Sequence, residues 1–213
     1  MKETLTRDDL LAALHKMGDD LTAQAEALRE LDAAIGDGDL GITMTIGFGA
    51  LQEALDGLAD QDMSTILMRA GMAFNRKAAS TFGALFATMT MRAARELKGV
   101  EAIGVAELAR MAAAALEGVK ERGKAAVGDK TMLDALAPAA EALQRAADEG
   151  TPLAEALERA ALAAEQGAQA TVEMKSKVGR AGWFSERTQG VQDPGAAAIS
   201  MMARSLAEYA ATA

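Results

Sequence analysis

Residues 6–41 read TRDDLLAALHKMGDDLTAQAEALRELDAAIGDGDLG. Leu10, Leu14, Met17, Leu21, Leu28 and Leu31 recur at three- or four-residue steps or their multiples, the spacing of one apolar helix face. Thr6-Arg7-Asp8-Asp9 resembles a capping box, so the spacing predicts a first helix from there to about residue 34. The pattern stops at Gly36-Asp37-Gly38-Asp39-Leu40-Gly41, where three glycines and two carboxylates replace the leucines.

Seven more helices are expected at about 42–57, 64–78, 84–97, 104–122, 131–148, 152–176 and 194–211. Aromatic residues are only 3% of the chain, and alanine, leucine and methionine dominate, so local preference favours helix over strand nearly throughout. Asp193-Pro194 and Thr151-Pro152 each set a capping side chain before a proline suited to the first helical position, and Pro138 is expected to kink the sixth helix. The 213 residues show no linker and no repeat, so they are read as one all-α domain spanning 1–213.

The connections near 58–63, 98–103 and 149–151 are plain turns. The other four, Gly36–Gly41, Ala79–Gly83, Gly123–Lys130 and Val178–Asp193, are rich in glycine and polar groups, and they alternate with the plain ones. In an antiparallel up-down arrangement of eight helices, the connections after helices one, three, five and seven emerge at one end. Every chemically unusual loop is therefore expected at one rim.

The net charge of −9, without a basic run interleaved with aromatics, argues against nucleic-acid binding. No stretch of about 18 apolar residues and no apolar leader at Met1–Arg7 are present, so neither a membrane span nor a secretory signal is expected. Zero cysteines exclude disulfides and thiolate chemistry, which fits a cytoplasmic protein.

Asp32, Asp37 and Asp39 form a D-x-x-x-x-D-x-D pattern whose first carboxylate sits on the last helical turn. Three such groups repel one another without a cation, and hard Mg²⁺ binds through a few carboxylates together with substrate phosphates. Gly36, Gly38 and Gly41 allow close backbone approach, and the start of the next helix offers free N–H groups to phosphate. An EF-hand loop is discounted, because the glutamate at its twelfth position is missing. Taken alone, such a loop is more often a solvated turn; its convergence with three other loops favours a phosphate-bridging Mg²⁺ site.

Leu31-Asp32-Ala33-Ala34-Ile35-Gly36-Asp37-Gly38-Asp39 and Gly128-Asp129-Lys130-Thr131-Met132-Leu133-Asp134 resemble motifs of the nucleotide-binding L subunit, or L domain, of dihydroxyacetone kinases. Gly179-Arg180-Ala181, Glu186-Arg187 and Asp193-Pro194-Gly195-Ala196 continue the resemblance in the same order. It implies an eight-helix antiparallel barrel with the nucleotide at one rim and two Mg²⁺ ions held by Asp32, Asp37 and Asp39. It also implies nucleotide contacts at Thr43, Thr81, Phe82, Gly123, Met132, Arg180, Asp193, Pro194 and Gly195. Three positions depart from the family pattern: Leu40 and Val191 stand where histidines are usual, and Phe82 where a serine is. Leu40 and Phe82 remove polar groups but leave backbone donors.

Other residues carry two readings each. Arg180 offers fixed donors to phosphate or ribose, or is a solvated surface charge. Met132 packs on adenine or fills the core, and Trp183 and Phe184 cover the nucleotide, contact a partner or anchor their loop. Lys130 is either exposed or, with Asp129, shapes its loop. His15, the sole histidine, lies about 30 Å along the first helix from the acidic loop. Dihydroxyacetone kinases hold their ketone through a histidine of a separate K component, so the resemblance implies half an enzyme with no catalytic side chain of its own. This half would bind ADP or ATP with Mg²⁺ and pass a phosphoryl group to a short ketose on a K-like partner, and in some members a phosphoryl-carrier protein recharges bound ADP. The alternatives are a non-catalytic ADP·Mg²⁺-binding regulatory module and a kinase subunit for another small sugar such as a tetrulose.

Overall fold

The computed structural model describes residues 2–179 and 185–212. Among these residues the chain forms helices α1 (Arg7–Ala23), α2 (Ala25–Ile35), α3 (Leu40–Leu55), α4 (Met63–Lys77), α5 (Thr81–Arg95), α6 (Val105–Gly123), α7 (Leu133–Glu149), α8 (Leu153–Ala170), α9 (Ser185–Thr188) and α10 (Pro194–Thr212). A 3-10 turn covers Thr171–Glu173, and the one extended pairing among the described residues is an isolated antiparallel bridge between Leu5 and Ile103. No described helix is long and apolar enough to cross a membrane.

The first expected helix is two. It breaks at Gln24 (φ −93°, ψ 5°), yet the Gln24 amide still donates to the Asp20 carbonyl at 3.1 Å and the Leu28 amide to the Gln24 carbonyl at 3.1 Å. Hydrogen bonding thus runs through the break, and α1 and α2 behave as one bent rod. Counting that rod once and setting aside the four-residue α9, eight rods remain among the described residues, the number expected from the sequence.

Each rod packs on its sequence neighbours, and α10 closes the ring by packing on both α8 and α1. Polar contacts mark that seam. Tyr209 donates to Asp9 at 2.8 Å, Ser205 to Asp20 at 2.6 Å, and Arg204 of α10 pairs with Glu158 and Glu165 of α8. Burial works against ionising Asp9, but hydrogen bonds from Lys2, Thr6 and Tyr209 hold its carboxyl well below the usual carboxylate range.

Helix starts follow local chemistry. Thr6 and Asp9 form the expected capping box, Asp62 accepts the Thr65 amide at 2.9 Å, and Ser80 accepts the Gly83 amide at 3.0 Å. Asp193 caps α10 through the Ala196 amide at 2.8 Å, with Pro194 in the first turn as expected. The Thr151-Pro152 expectation is corrected: Pro152 itself takes the cap position and Thr151 makes no cap bond, so α8 starts one residue later. Pro138 stands inside α7 without ending it.

The core differs between the two sides of the ring. Beneath the α3–α5 side, Phe74 meets Phe48 at 5.2 Å and Phe86 at 4.5 Å between ring centroids, all three rings fully buried. Truncating such a ring costs about 3–5 kcal/mol, so these aromatics anchor the wall above them. On the α7, α8 and α10 side the buried positions are largely alanines, among them Ala135, Ala142, Ala156, Ala161, Ala164 and Ala198. The alanine-rich stretches are the small-residue faces on which these helices pack.

At the junction of α2 and α3 the approach is closer still. A Cβ on Gly41 would lie 2.3 Å from the Ala25 carbonyl oxygen and 2.9 Å from the Arg29 Cβ, inside any real contact distance. The glycine lets α3 turn back directly against α2, which places the acidic loop at the rim.

Candidate functional site

The four unusual loops meet. One cavity of about 580 Å³, within the range of small-ligand pockets, is lined by residues from the α2–α3 loop, the start of α5, the α6–α7 loop and the entry to α10. A 540 Å³ depression on the outside of α4 and α5, lined by Arg69, Met72 and Arg76 among others, contains no converging carboxylates.

The acidic loop is built from the end of α2. The Gly36 amide turns back to the Asp32 carbonyl, Gly38 adopts φ +74°, and Asp39 takes the cap position of α3. Asp32, Asp37 and Asp39 each present a carboxylate oxygen within 4.8 Å of the others. Oxygens sharing one Mg²⁺ at 2.0–2.1 Å lie up to about 4.2 Å apart, so a small side-chain rotation brings this set onto a common cation. The donor set fits a hard divalent ion.

Leu40 corrects one expectation. Its backbone donor is already engaged, because the Leu40 amide donates to the Asp32 carboxylate at 3.1 Å and ties that ligand to the start of α3. Its side chain is buried and lines the cavity. Phe82 also lines the cavity, tilted against Phe74 at 6.4 Å and stacked on Phe86 at 6.3 Å, so the buried aromatics continue into the wall. Thr81 and Phe82 are the first two residues of α5; their amides lack intrahelical partners and are suited to an anion, while the next, that of Gly83, is taken by the Ser80 hydroxyl.

The α6–α7 loop is shaped by three left-handed residues, Lys124 (φ 49°), Gly128 (φ 90°) and Lys130 (φ 60°). Asp134, buried in α7, accepts the amides of Gly128 and Thr131, and Asp129 accepts the Ala126 amide at 2.8 Å. Gly123 and Met132 line the cavity, Met132 largely buried. Lys130 is 2% exposed, which overturns the surface reading and leaves the loop-shaping one. Its ammonium donates to the carbonyls of Met174, Thr188 and Val191. Burial holds its pKa below the usual lysine range, opposed by the nearby Asp193 charge.

Asp193, Pro194 and Gly195 complete the wall. Burial pushes the Asp193 carboxyl up to about 7; Asp134 adds to this, while the Ala196 amide and Lys130 oppose it. The folded chain therefore holds a proton that the unfolded chain, with an ordinary value of 3.8, releases between about pH 4 and 7. Asp193 thus contributes less to stability as pH rises through that window, and its contribution is constant above it. Asp193→Asn keeps an acceptor for the Ala196 amide and removes the buried charge. Urea unfolding should show this variant gaining stability relative to wild type at pH 8, by at most about 4 kcal/mol, with little change at pH 4. An equal loss at both pH values contradicts this account.

Of the expected nucleotide contacts, Thr81, Phe82, Gly123, Met132, Asp193, Pro194 and Gly195 line the cavity together with all three aspartates. Thr43 does not: it is buried in the first turn of α3, away from the cavity lining. Arg180, Trp183 and Phe184 lie outside the described residues. Sequence reading gave no role to Arg122, an exposed cation on the last turn of α6 that lies in the cavity wall and whose one signal was its position beside the Gly123–Lys130 loop; Ser80, inside the unusual Ala79–Gly83 loop, also lines the wall.

Comparison with known proteins adds to this geometry. Residues 34–208 match the family model described as the DAK2 domain. The chain is 37% identical over 204 residues to the "PEP-dependent dihydroxyacetone kinase, ADP-binding subunit DhaL" of Escherichia coli (strain K12), covering 96% of this chain and 97% of that one. It is 32% identical to the D-erythrulose kinase of Mycolicibacterium smegmatis over 92% of its own length, which is 34% of that longer protein. Among solved structures, the dihydroxyacetone kinase of C. freundii in complex with AMP-PNP and Mg²⁺ superposes with a TM-score of 0.75 at 25% identity, over 98% of this chain and 35% of that one.

Proposed function

The chain belongs to the DAK2 domain family, alongside ADP-binding DhaL subunits of dihydroxyacetone kinases, and from that premise we propose that it is the nucleotide-binding half of a two-component kinase. The observation that carries the proposal is the meeting of Asp32, Asp37 and Asp39 with the first turn of α5 and the Asp193–Gly195 corner around one cavity. In this reading ADP or ATP lies in that cavity with its phosphates toward the aspartates, and a K-like subunit holds a short ketose at the rim.

The three aspartates would hold Mg²⁺, two ions in this reading, which when bound neutralises phosphate charge. This chain's own residues bind and orient. The α5 amides and Arg122 face the anionic end, Met132 and Phe82 offer apolar surface to the base or ribose, and Leu40 keeps the wall beside Asp32 dry. Catalysis on this side is positional and electrostatic, so no side chain of the chain is assigned a proton-transfer step. A phosphoryl-carrier protein as second partner and a cytoplasmic location belong to the same proposal, supported by the likeness to a PEP-dependent subunit.

Dihydroxyacetone is the leading substrate, and a tetrulose is the runner-up, supported by the likeness to a D-erythrulose kinase. A regulatory module that binds ADP·Mg²⁺ without transfer is the second reading, favoured by the engaged Leu40 amide and the apolar Phe82 wall. The test mixes the purified chain with a K-like subunit, Mg²⁺ and ATP, or with a PEP-driven carrier system, and follows phosphorylation of dihydroxyacetone and erythrulose. Turnover is expected only when both subunits are present. Nucleotide binding without turnover beside a competent partner would favour the regulatory reading instead.

A further inference from the structure

The connection from α8 to α10 reaches the cavity by two described arms, residues 174–179 and 185–193. The first ends in Val178 and Gly179, and the second leads into Asp193, Pro194 and Gly195, all of them cavity-lining. What holds the arms in register is visible in their hydrogen bonds. The Ser176 amide donates to the Thr188 hydroxyl at 2.9 Å, the Gly190 amide to the Val172 carbonyl at 2.8 Å, and the Lys177 amide to the Asp129 carbonyl at 3.2 Å. At their centre is Lys130, whose ammonium takes Met174 from the first arm and Thr188 and Val191 from the second.

An ammonium has three donors and no acceptor, so one side chain can gather carbonyls from both arms at a single point. A buried cation is costly to keep, and a surface loop needs none; its presence here is understandable if the position of both arms matters. Lys130 is itself part of the cavity lining, and its left-handed backbone directs the chain from the α6–α7 loop into that wall.

We propose that Lys130 is a positioning residue for nucleotide binding: it locks both arms of the last loop onto the cavity, so that losing it weakens ADP·Mg²⁺ binding through the loop and leaves the acidic metal loop in place. This rests on the nucleotide reading above. The test is amide hydrogen exchange and ADP·Mg²⁺ titration on the full chain, comparing wild type, Lys130→Met and Lys130→Arg. In Lys130→Met the amides of Ser176, Lys177 and Gly190 should exchange at least roughly 10-fold faster, with the interiors of α3–α5 unchanged. ADP·Mg²⁺ binding should weaken by roughly 10-fold or more, with Lys130→Arg intermediate in both readouts.

Unchanged exchange at those three amides overturns the proposal. So does faster exchange with wild-type affinity, because the loop would then be held without consequence for the ligand. Should Lys130→Met fail to fold, Thr188→Val, which removes the acceptor of the Ser176 amide, is expected to give the same pairing of faster exchange and weaker binding. A wild-type chain that binds no ADP·Mg²⁺ sinks the nucleotide reading, and with it the coupling; the exchange data then decide the clamp alone.

Discussion

Asp37→Ala/Asp39→Ala protein is expected to lose Mg²⁺-dependent ADP binding by at least about 100-fold, or roughly 3 kcal/mol. The two substitutions leave Asp32 alone to bridge metal and phosphate, where three carboxylate oxygens within 4.8 Å now converge. In the apo protein the three carboxylates also repel one another. Two carboxylates 4.8 Å apart repel by about 0.9 kcal/mol even at the dielectric constant of water, so removing two of three relieves repulsion. Titration calorimetry and thermal unfolding of the apo form together separate the readings. Lost binding in a variant that still unfolds cooperatively fits a ligand site, whereas undiminished Mg²⁺-dependent binding would contradict it.

Gly41→Ala should be a severely damaging single methyl in the site's framework. The new Cβ would sit 2.3 Å from the Ala25 carbonyl oxygen, and backbone cannot move aside as a flexible side chain would. Overpacking of this kind costs about 1–3 kcal/mol, and a backbone neighbour puts it at the upper end. Because the clash wedges α2 from α3 at the turn that carries the three aspartates, metal-dependent binding should fall together with stability. Chemical denaturation within 0.5 kcal/mol of wild type, about the scale of a neutral surface change, would mean that the two helices do not meet this closely.

The fold was legible because its signal is local and repeated. Apolar residues at three- and four-residue steps mark the rods, and the alternation of plain with glycine-rich connections is enough to bring four loops to one rim. Asp32, Asp37 and Asp39 were legible for the same reason, lying within eight residues of one another. Gln24 was not, since the break there carries neither proline nor glycine and hydrogen bonding continues through it. Lys130 was only half legible: the carbonyls that bury it belong to residues 44, 58 and 61 positions away, a distance no local pattern spans. Leu40 shows the same limit from the other side. That its amide is free can be supposed from a helix start, but that Asp32 takes it depends on how α2 and α3 meet.

The most direct measurement is isothermal titration of ADP into the nucleotide-free wild-type chain, with Mg²⁺ and with Mg²⁺ removed by chelator. Saturable binding at least about 10-fold tighter with Mg²⁺ is the predicted result, because the aspartates can meet a phosphate only through a cation. Binding that is absent in both conditions, or equally tight without Mg²⁺, would contradict a metal-bridged nucleotide at this rim.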